Sequence, residues 1–365
     1  MRALVVAGAR PNFMKIAPIY RASLEHPSVE CRIVHTGQHY DYEMSEAFFN
    51  DLDIPKPDFC LNAGSGSHAV QTAKIMVSFE KVCKQEKPDL VMVVGDVNST
   101  LACSITAKKL LIGVAHVEAG LRSFDPSMPE EINRIVTDAI SDYFFVTEES
   151  GAENLLLEGK PRERIHFVGH VMIDNLLHQV KKLESDHVER FSVFRLKQEH
   201  RKYAFLTLHR PSNVDEKATF AHIADALNTL AEARPIFFPM HPRTRKMAHE
   251  FGITFTERII PLPPLSFQES LFLWKDAEVV LTDSGGLQEE TTALGVPCVT
   301  IRENTERPVT VEVGTNVLAG TKRESIIQAY DTSREKSASA RRPALWDGRA
   351  SERIWQVLCA GIERQ

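Results

Sequence analysis

The sequence lacks any apolar run near the ~18 residues that a membrane-spanning helix needs. Its first apolar run, Ala3–Ala7, meets Gly8-Ala9-Arg10-Pro11 at once, which is too early for a signal-peptide core. Six cysteines, at positions 31, 60, 83, 103, 298 and 359, form no C-x-x-C pair and match neither a zinc site nor a disulfide framework. They read as reduced core thiols in a reducing compartment, so the expected location is cytoplasmic. Basic charge is not in excess: 43 Lys and Arg against 49 Asp and Glu give −6 at pH 7. No nucleic-acid or membrane partner is therefore expected. The fourteen histidines include no H-E-x-x-H, and no metal is expected. Neither G-x-G-x-x-G nor G-x-x-x-x-G-K-[ST] follows the first apolar run, so neither a nicotinamide cofactor nor a P-loop is supported.

What remains is an ordinary globular composition, 43% hydrophobic and 25% charged. At ~150 residues per domain, 365 residues suggest about two domains. Short continuous apolar runs alternate with helix-length amphipathic segments. The runs are Ala3–Ala7, Arg32–His35, Leu90–Val94, Val114–Val117, Tyr143–Val146 and Ile165–Val168. After a charged helical stretch over Leu177–Lys202 they resume at Ala204–Leu208, Ile236–Met240, Val279–Thr282 and Cys298–Ile301. Continuous rather than alternating runs indicate strands buried on both faces, hence parallel sheets flanked by helices. The expected fold class is α/β, with two Rossmann-like parallel-sheet domains facing a central cleft. The first would span 1–175, with a C-terminal helix (350–365) packing back on it, and the second 176–349. Ligands in such sheets bind beyond the carboxyl ends of strands.

Polar residues just after each run are therefore the candidates. Arg10 and Lys15 follow the first run near a helix N-terminus, a place that suits phosphate. Gly95-Asp96 follows the third run; Asn98 or Ser99 could cap the next helix and leave Asp96 available. Glu118 ends the fourth run, with Arg122 as a possible salt-bridge partner. Pro129 can open a helix with Glu130 and Glu131 in its first turn, where dipole compensation is the plain explanation. Asp96, Glu118 and Glu130 would otherwise give three carboxylates in one cleft, an arrangement that pushes pKa values apart and suits an acid–base pair. In the second half, His209 and His241 each follow a run. Ser284-Gly285-Gly286 opens a helix with unobstructed backbone N–H groups that can hold a diphosphate, Glu290 could grip ribose hydroxyls, and Arg307 could approach the same phosphate.

These motifs together resemble the non-hydrolysing UDP-N-acetylglucosamine 2-epimerases. The matching pieces are Gly8-Ala9-Arg10-Pro11 with Lys15, Thr36-Gly37-Gln38-His39, Gly95-Asp96, His116–Arg122, Pro129–Arg134, Leu208-His209-Arg210, His241-Pro242, Asp283–Glu290 and Thr305–Pro308, in family order. The resemblance implies the B-type glycosyltransferase fold, a homodimer, and no metal or cofactor. It implies reversible inversion at C2 of a UDP-sugar by anti elimination of UDP and re-addition to a 2-acetamidoglucal, serving cell-surface polysaccharide precursors. It assigns Asp96, Glu118 and Glu130 to acid–base chemistry. Arg10, Lys15 and His209 would steady the departing UDP, and His241, Ser284, Gly285, Gly286, Glu290 and Arg307 would bind substrate.

Departures from the family pattern are Asn12 where a glutamate is common, Asp41 where a glutamine helps bind a second, activating UDP-sugar, a short loop before Pro129, and Pro211-Ser212 in place of a charged pair. The resemblance therefore does not carry substrate activation over to this chain. A related 2-epimerase of a UDP-diacetamido-uronic acid, a UDP-sugar glycosyltransferase, a hydrolysing epimerase and a sugar-nucleotide sensor remain as rivals. An acid–base carboxylate set counts against the sensor.

Overall fold

The computed structural model describes residues 1–37, 46–185 and 187–362. Gln38, His39 and Asp41 of the sequence reading lie outside the described residues. The chain divides into two units, Met1–Asn175 with Ala344–Gln365, and Leu176–Pro343. No described helix is long and apolar enough to cross a membrane.

The first unit alternates strands and helices in order: β1 (Arg2–Ala7), α1 (Arg10–Ser23), β2 (Glu30–His35), α2 (Glu46–Asp51), β3 (Phe59–Cys60), α3 (His68–Glu86), β4 (Leu90–Val94), α4 (Asn98–Lys109), β5 (Gly113–Val117), α5 (Pro129–Ile140), β6 (Tyr143–Val146), α6 (Glu149–Leu157) and β7 (Ile165–Phe167). The described strands form one sheet in the order β3-β2-β1-β4-β5-β6-β7, every pair parallel. Ala3, Leu4, Val5, Val91, Met92 and Val93 are fully buried, which is why these strands read as unbroken apolar runs. Helix α3 turns Ile75, Phe79, Val82 and Cys83 inward at helical spacing against Leu4, Val6, Val91 and Val93. Strand order reverses between β1 and β4, so the carboxyl ends of these two strands mark the switch point of the sheet.

Helix α7 (Val171–Ser185) carries the division between the units. The second unit then runs α8 (Phe194–Glu199), β8 (Ala204–Thr207), α9 (Pro211–Val214), α10 (Lys217–Ala231), β9 (Ile236–Pro239), α11 (Pro242–Phe251), β10 (Ile259–Leu262), α12 (Phe267–Trp274), β11 (Val279–Thr282), α13 (Gly285–Leu294), β12 (Cys298–Thr300), α14 (Pro308–Glu312), β13 (Asn316–Leu318) and α15 (Arg323–Ser337). Its sheet is again parallel, in the order β10-β9-β8-β11-β12-β13, with a switch point between β8 and β11. Phe220, Ile223 and Leu227 of α10 and Ile326 of α15 close over Leu206, Phe238, Leu281 and Val299. Helix α16 (Ala350–Ile362) belongs to the first unit. Both Asp174 carboxylate oxygens accept N–H groups at its start, from Ala350 at 3.1 Å and Ser351 at 2.7 Å. Trp355 Nε1 donates to Ile19 O at 2.7 Å.

Several expectations need correction. The charged stretch 177–202 is not one helix: α7 ends at Ser185 and α8 holds only Phe194–Glu199. The first helix begins at Arg10 rather than Asn12, because Pro11 fits a helix's first turn. The strands read to Val168, Leu208, Met240 and Ile301 each end one residue earlier. Cys83, Cys103 and Cys298 are buried thiols, but Cys60 is exposed at the end of edge strand β3.

Candidate active site

Register places the first cluster. Val94 of β4 pairs with Val117 of β5, so the residues just beyond them, Gly95 and Glu118, emerge side by side. Both adopt left-handed backbone, Gly95 at φ 67° and Glu118 at φ 68°. For a glutamate that conformation costs about 1–3 kcal/mol, a strain typical of functional positions. The Glu118 carboxylate is 3% exposed and pairs with the Lys15 ammonium from α1. Arg122, the partner expected from sequence, instead meets Asp138 at 2.8 Å and Glu158 at 2.8 Å. Between them the chain turns at Gly120, which stands in left-handed backbone at φ 77°.

Asp96 carries its own correction. Helix α4 is capped by neither Asn98 nor Ser99; its N-cap is Val97 and makes no side-chain cap bond. Asn98 Nδ2 donates to Gln71 at 2.7 Å, and the Ser99 and Thr36 hydroxyls meet at 2.7 Å. Asp96 is not left without partners: its carboxylate pairs with Arg134, and its carbonyl accepts from Asn133 Nδ2 at 2.8 Å. Both partners lie on α5, whose polar side is the buried one: Glu131, Asn133, Thr137 and Asp138 face inward while Ile132 and Ile135 are about half exposed. Glu130 is exposed at the second position of this helix. Its neighbour Glu131 accepts from the Ser123 and Phe124 amides at 2.9 and 3.1 Å and from Arg134 at 3.1 Å. Burial alone would raise the Glu131 carboxyl, but these donors hold it below the usual range.

Arg10 opens α1, exposed, with its guanidinium 5.1 Å from the Phe48 ring centre. Asn12 Oδ1 accepts from the Gly8 and Ala9 amides at 3.2 and 2.9 Å. Those two amides serve the turn, so the phosphate capacity expected at this end rests on Arg10 and Lys15.

The second cluster lies at the switch point of the other sheet. His209 follows β8 and is about half exposed; its Nδ1 is 2.9 Å from Asp283, which follows β11. Asp283 is buried, yet the His209 ring and the His209 and Arg210 amides hold its carboxyl below the usual range against that burial. His241 is exposed and caps α11, accepting the Arg243 amide at 3.2 Å, with its ring 6.2 Å from that of His209.

Ser284 is the N-cap residue of α13 and makes no side-chain cap bond. A methyl group on Gly286 would meet nothing within 4 Å, and one on Gly285 only the Glu306 carboxylate at 4.0 Å. These glycines are not demanded by protein packing; they leave the helix end open to an approaching group. Gln288 fixes that turn by donating to Ser284 O at 3.1 Å and accepting from Thr305 at 2.6 Å. Glu290 is buried, which pushes its carboxyl up to about 8, and the adjacent Glu289 carboxylate adds to the rise. Arg307 pairs with Glu289 at 2.7 Å, so it faces that carboxylate in addition to any role at a phosphate.

The structure thus brings Lys15 and Glu118 together beside Gly95 in the first unit, with Asp96 next in the chain but turned to Arg134, and gathers His209, His241 and Asp283 in the second. Sequence reasoning missed Arg134, Asp138, Asn133 and Gln288. One signal was available: residues 131, 134 and 138 form a polar stripe at helical spacing beside apolar 132, 135 and 136.

The family model described as UDP-N-acetylglucosamine 2-epimerase matches residues 21–359. A Methanocaldococcus jannaschii protein named UDP-N-acetylglucosamine 2-epimerase is 43% identical over 367 residues, covering 99% of this chain and 100% of its own. A Pseudomonas aeruginosa protein named UDP-2,3-diacetamido-2,3-dideoxy-D-glucuronate 2-epimerase is 39% identical over 361 residues, covering 98% and 99%. The crystal structure of the Methanocaldococcus jannaschii UDP-GlcNAc 2-epimerase in complex with UDP-GlcNAc and UDP is similar at TM-score 0.85 and 42% identity, covering 99% of this chain and 100% of that one. Two parallel-sheet α/β units of the B-type glycosyltransferase kind, as the resemblance implied, agree with this likeness. The chain belongs to the UDP-N-acetylglucosamine 2-epimerase family.

Proposed function

We propose that this protein reversibly converts UDP-N-acetylglucosamine to UDP-N-acetylmannosamine without releasing free sugar. The observation that carries the reading is Glu118, a buried carboxylate in a strained backbone conformation, paired with Lys15 beside the Gly95 backbone. The proton at C2 is a weak acid, so a held carboxylate base is what its removal needs. The base takes that proton, its bonding electrons form the C1–C2 double bond, and the C1–O bond breaks so that UDP leaves with that electron pair. A carboxylic acid then returns a proton to the opposite face of C2, and a diphosphate oxygen re-forms the bond to C1. Asp96, Glu118 and Glu130 supply the base and acid. Arg10, Lys15 and His209 stabilise the negative charge on departing UDP. Ser284, Gly285 and Gly286 hold phosphate at the start of α13, Glu290 holds ribose, Arg307 assists, and His241 contributes to binding. The reaction asks for no cofactor.

The Pseudomonas relative favours a second reading, in which the substrate is a UDP-2,3-diacetamido-uronic acid. In the cell the product would feed surface polysaccharide from the cytoplasm. We also propose a homodimer, in which a second copy covers the outward Ile132 and Ile135 of α5; sedimentation at micromolar concentration tests it, and a monomer overturns it. The decisive experiment follows UDP-GlcNAc with the protein in heavy water by proton NMR. Expected is UDP-ManNAc carrying deuterium at C2. Free ManNAc with UDP would indicate hydrolysis instead, and an unchanged UDP-GlcNAc alongside a deuterated diacetamido-uronate would select the second reading.

A further inference from the structure

Asp138 is a fully buried carboxylate on α5. It accepts from His116 at 2.6 Å, from Arg122 at 2.8 Å and from the Gly120 amide at 3.0 Å. His116, also fully buried, reaches Gly95 O with its other ring nitrogen at 2.9 Å. A carbonyl lies on one side of the ring and a carboxylate on the other, so both ring nitrogens are engaged. Arg122 also pairs with Glu158 at 2.8 Å. Burial acts to raise Asp138, yet His116 and Arg122 hold it ionised, below the usual carboxylate range.

Two turns meet in this network. Gly95 precedes Asp96, and a methyl group on it would lie 3.1 Å from Lys15 Nζ and 3.4 Å from Glu118 Oε2. The position of the Gly95 backbone therefore sets the space in which Lys15 and Glu118 pair. Glu118 itself stands in left-handed backbone between His116 and Gly120, and both flanking residues bond to Asp138. A strained residue persists only where its surroundings over-determine it.

We propose that Asp138 is a positioning residue: through His116 and the Gly120 amide it clamps both flanks of Glu118 and the turn that bears Asp96. The proposal rests on the epimerase reading and names what holds its acid–base groups in place. The test is Asp138→Asn in the full chain, assayed for epimerisation and for C2 deuterium uptake. Displacing reacting groups by about 1 Å costs about 10²-fold in rate, so kcat falls by that order while KM and UDP affinity hold. Nitrogen-15 NMR is expected to show both His116 ring nitrogens in hydrogen bonds in wild type, and a shifted Nδ1 signal in the variant. If Asp138→Asn does not fold, His116→Gln gives the same kinetic test, since glutamine can still donate to Gly95 O. A folded variant with wild-type kcat, or one in which the His116 ring-nitrogen signals are unchanged, overturns the positioning role alone. Wild-type protein that exchanges no C2 proton in either UDP-sugar overturns the epimerase reading, and this proposal with it.

Discussion

The Lys15 ammonium and the Glu118 carboxylate, 103 residues apart in sequence, form a buried ion pair beside the backbone of Gly95. Glu118 is the more buried partner, with 3% of its side chain exposed against 16% for Lys15. Removing one member of such a pair strands the other in a medium that solvates it poorly.

Replacing the charge of each partner should therefore have different results. Lys15→Met removes the ammonium that faces the buried Glu118 carboxylate, and unfolding free energy drops by about 3–5 kcal/mol. Glu118→Gln keeps shape and hydrogen bonding, so stability changes little while turnover falls about 10²–10⁴-fold, the usual worth of a general base. Denaturant unfolding and the heavy-water NMR assay read the two effects; Glu118→Gln with full turnover would remove Glu118 from the mechanism.

Gly95→Ala tests the same geometry from the backbone. Its φ of 67° disfavours any side chain, and the added methyl would press on Lys15 Nζ at 3.1 Å. A cost of about 1–3 kcal/mol in stability is expected, together with loss of turnover. An active variant of unchanged stability would show that the turn adapts.

Gly286→Ala separates packing from binding. No protein atom lies within 4 Å of the new methyl group, so stability should rise by about 0.4–1 kcal/mol through reduced freedom of the unfolded chain. UDP affinity should fall about 10-fold, or about 1.4 kcal/mol, if the diphosphate sits against this backbone. Calorimetric titration with UDP decides; undiminished affinity would move the diphosphate elsewhere.

Glu290 gives a pH prediction. In the folded protein its carboxyl is raised to about 8 from 4.5, mainly by burial. Between those values the native state binds a proton that the unfolded chain releases, so stability declines as pH rises. This contribution is full below pH 4.5 and gone above about 8. Thermal unfolding from pH 6 to 9 should show the decline in wild type and a flatter profile in Glu290→Gln; parallel profiles would contradict it.

Legibility in the sequence followed burial. Leu90–Val94, Tyr143–Val146 and Val279–Thr282 were readable end to end, because strands covered on both faces must be apolar throughout. Strands β3, β10 and β13 were missed: they are edge strands, β3 has only two residues, and β13 opens on a buried asparagine. At the site, the positions after strand ends were legible, but the pairings were not. Arg122 was a near neighbour of Glu118 in sequence, whereas the partner that forms is Lys15.

The sequence by itself determined the alternation of strands and helices, the strand ends as the place for chemistry, and the family. Each of these follows from local residue type: apolar runs, turn glycines and short motifs in order. Only the tertiary structure decided that Glu131 is committed to two backbone amides while Glu130 is exposed, that Asp96 pairs with Arg134, and that Asp138 joins the Gly95 and Gly120 turns. Those choices depend on strand register and helix rotation. Both are fixed by packing between segments far apart in the chain, and neighbouring residues along the chain do not encode them.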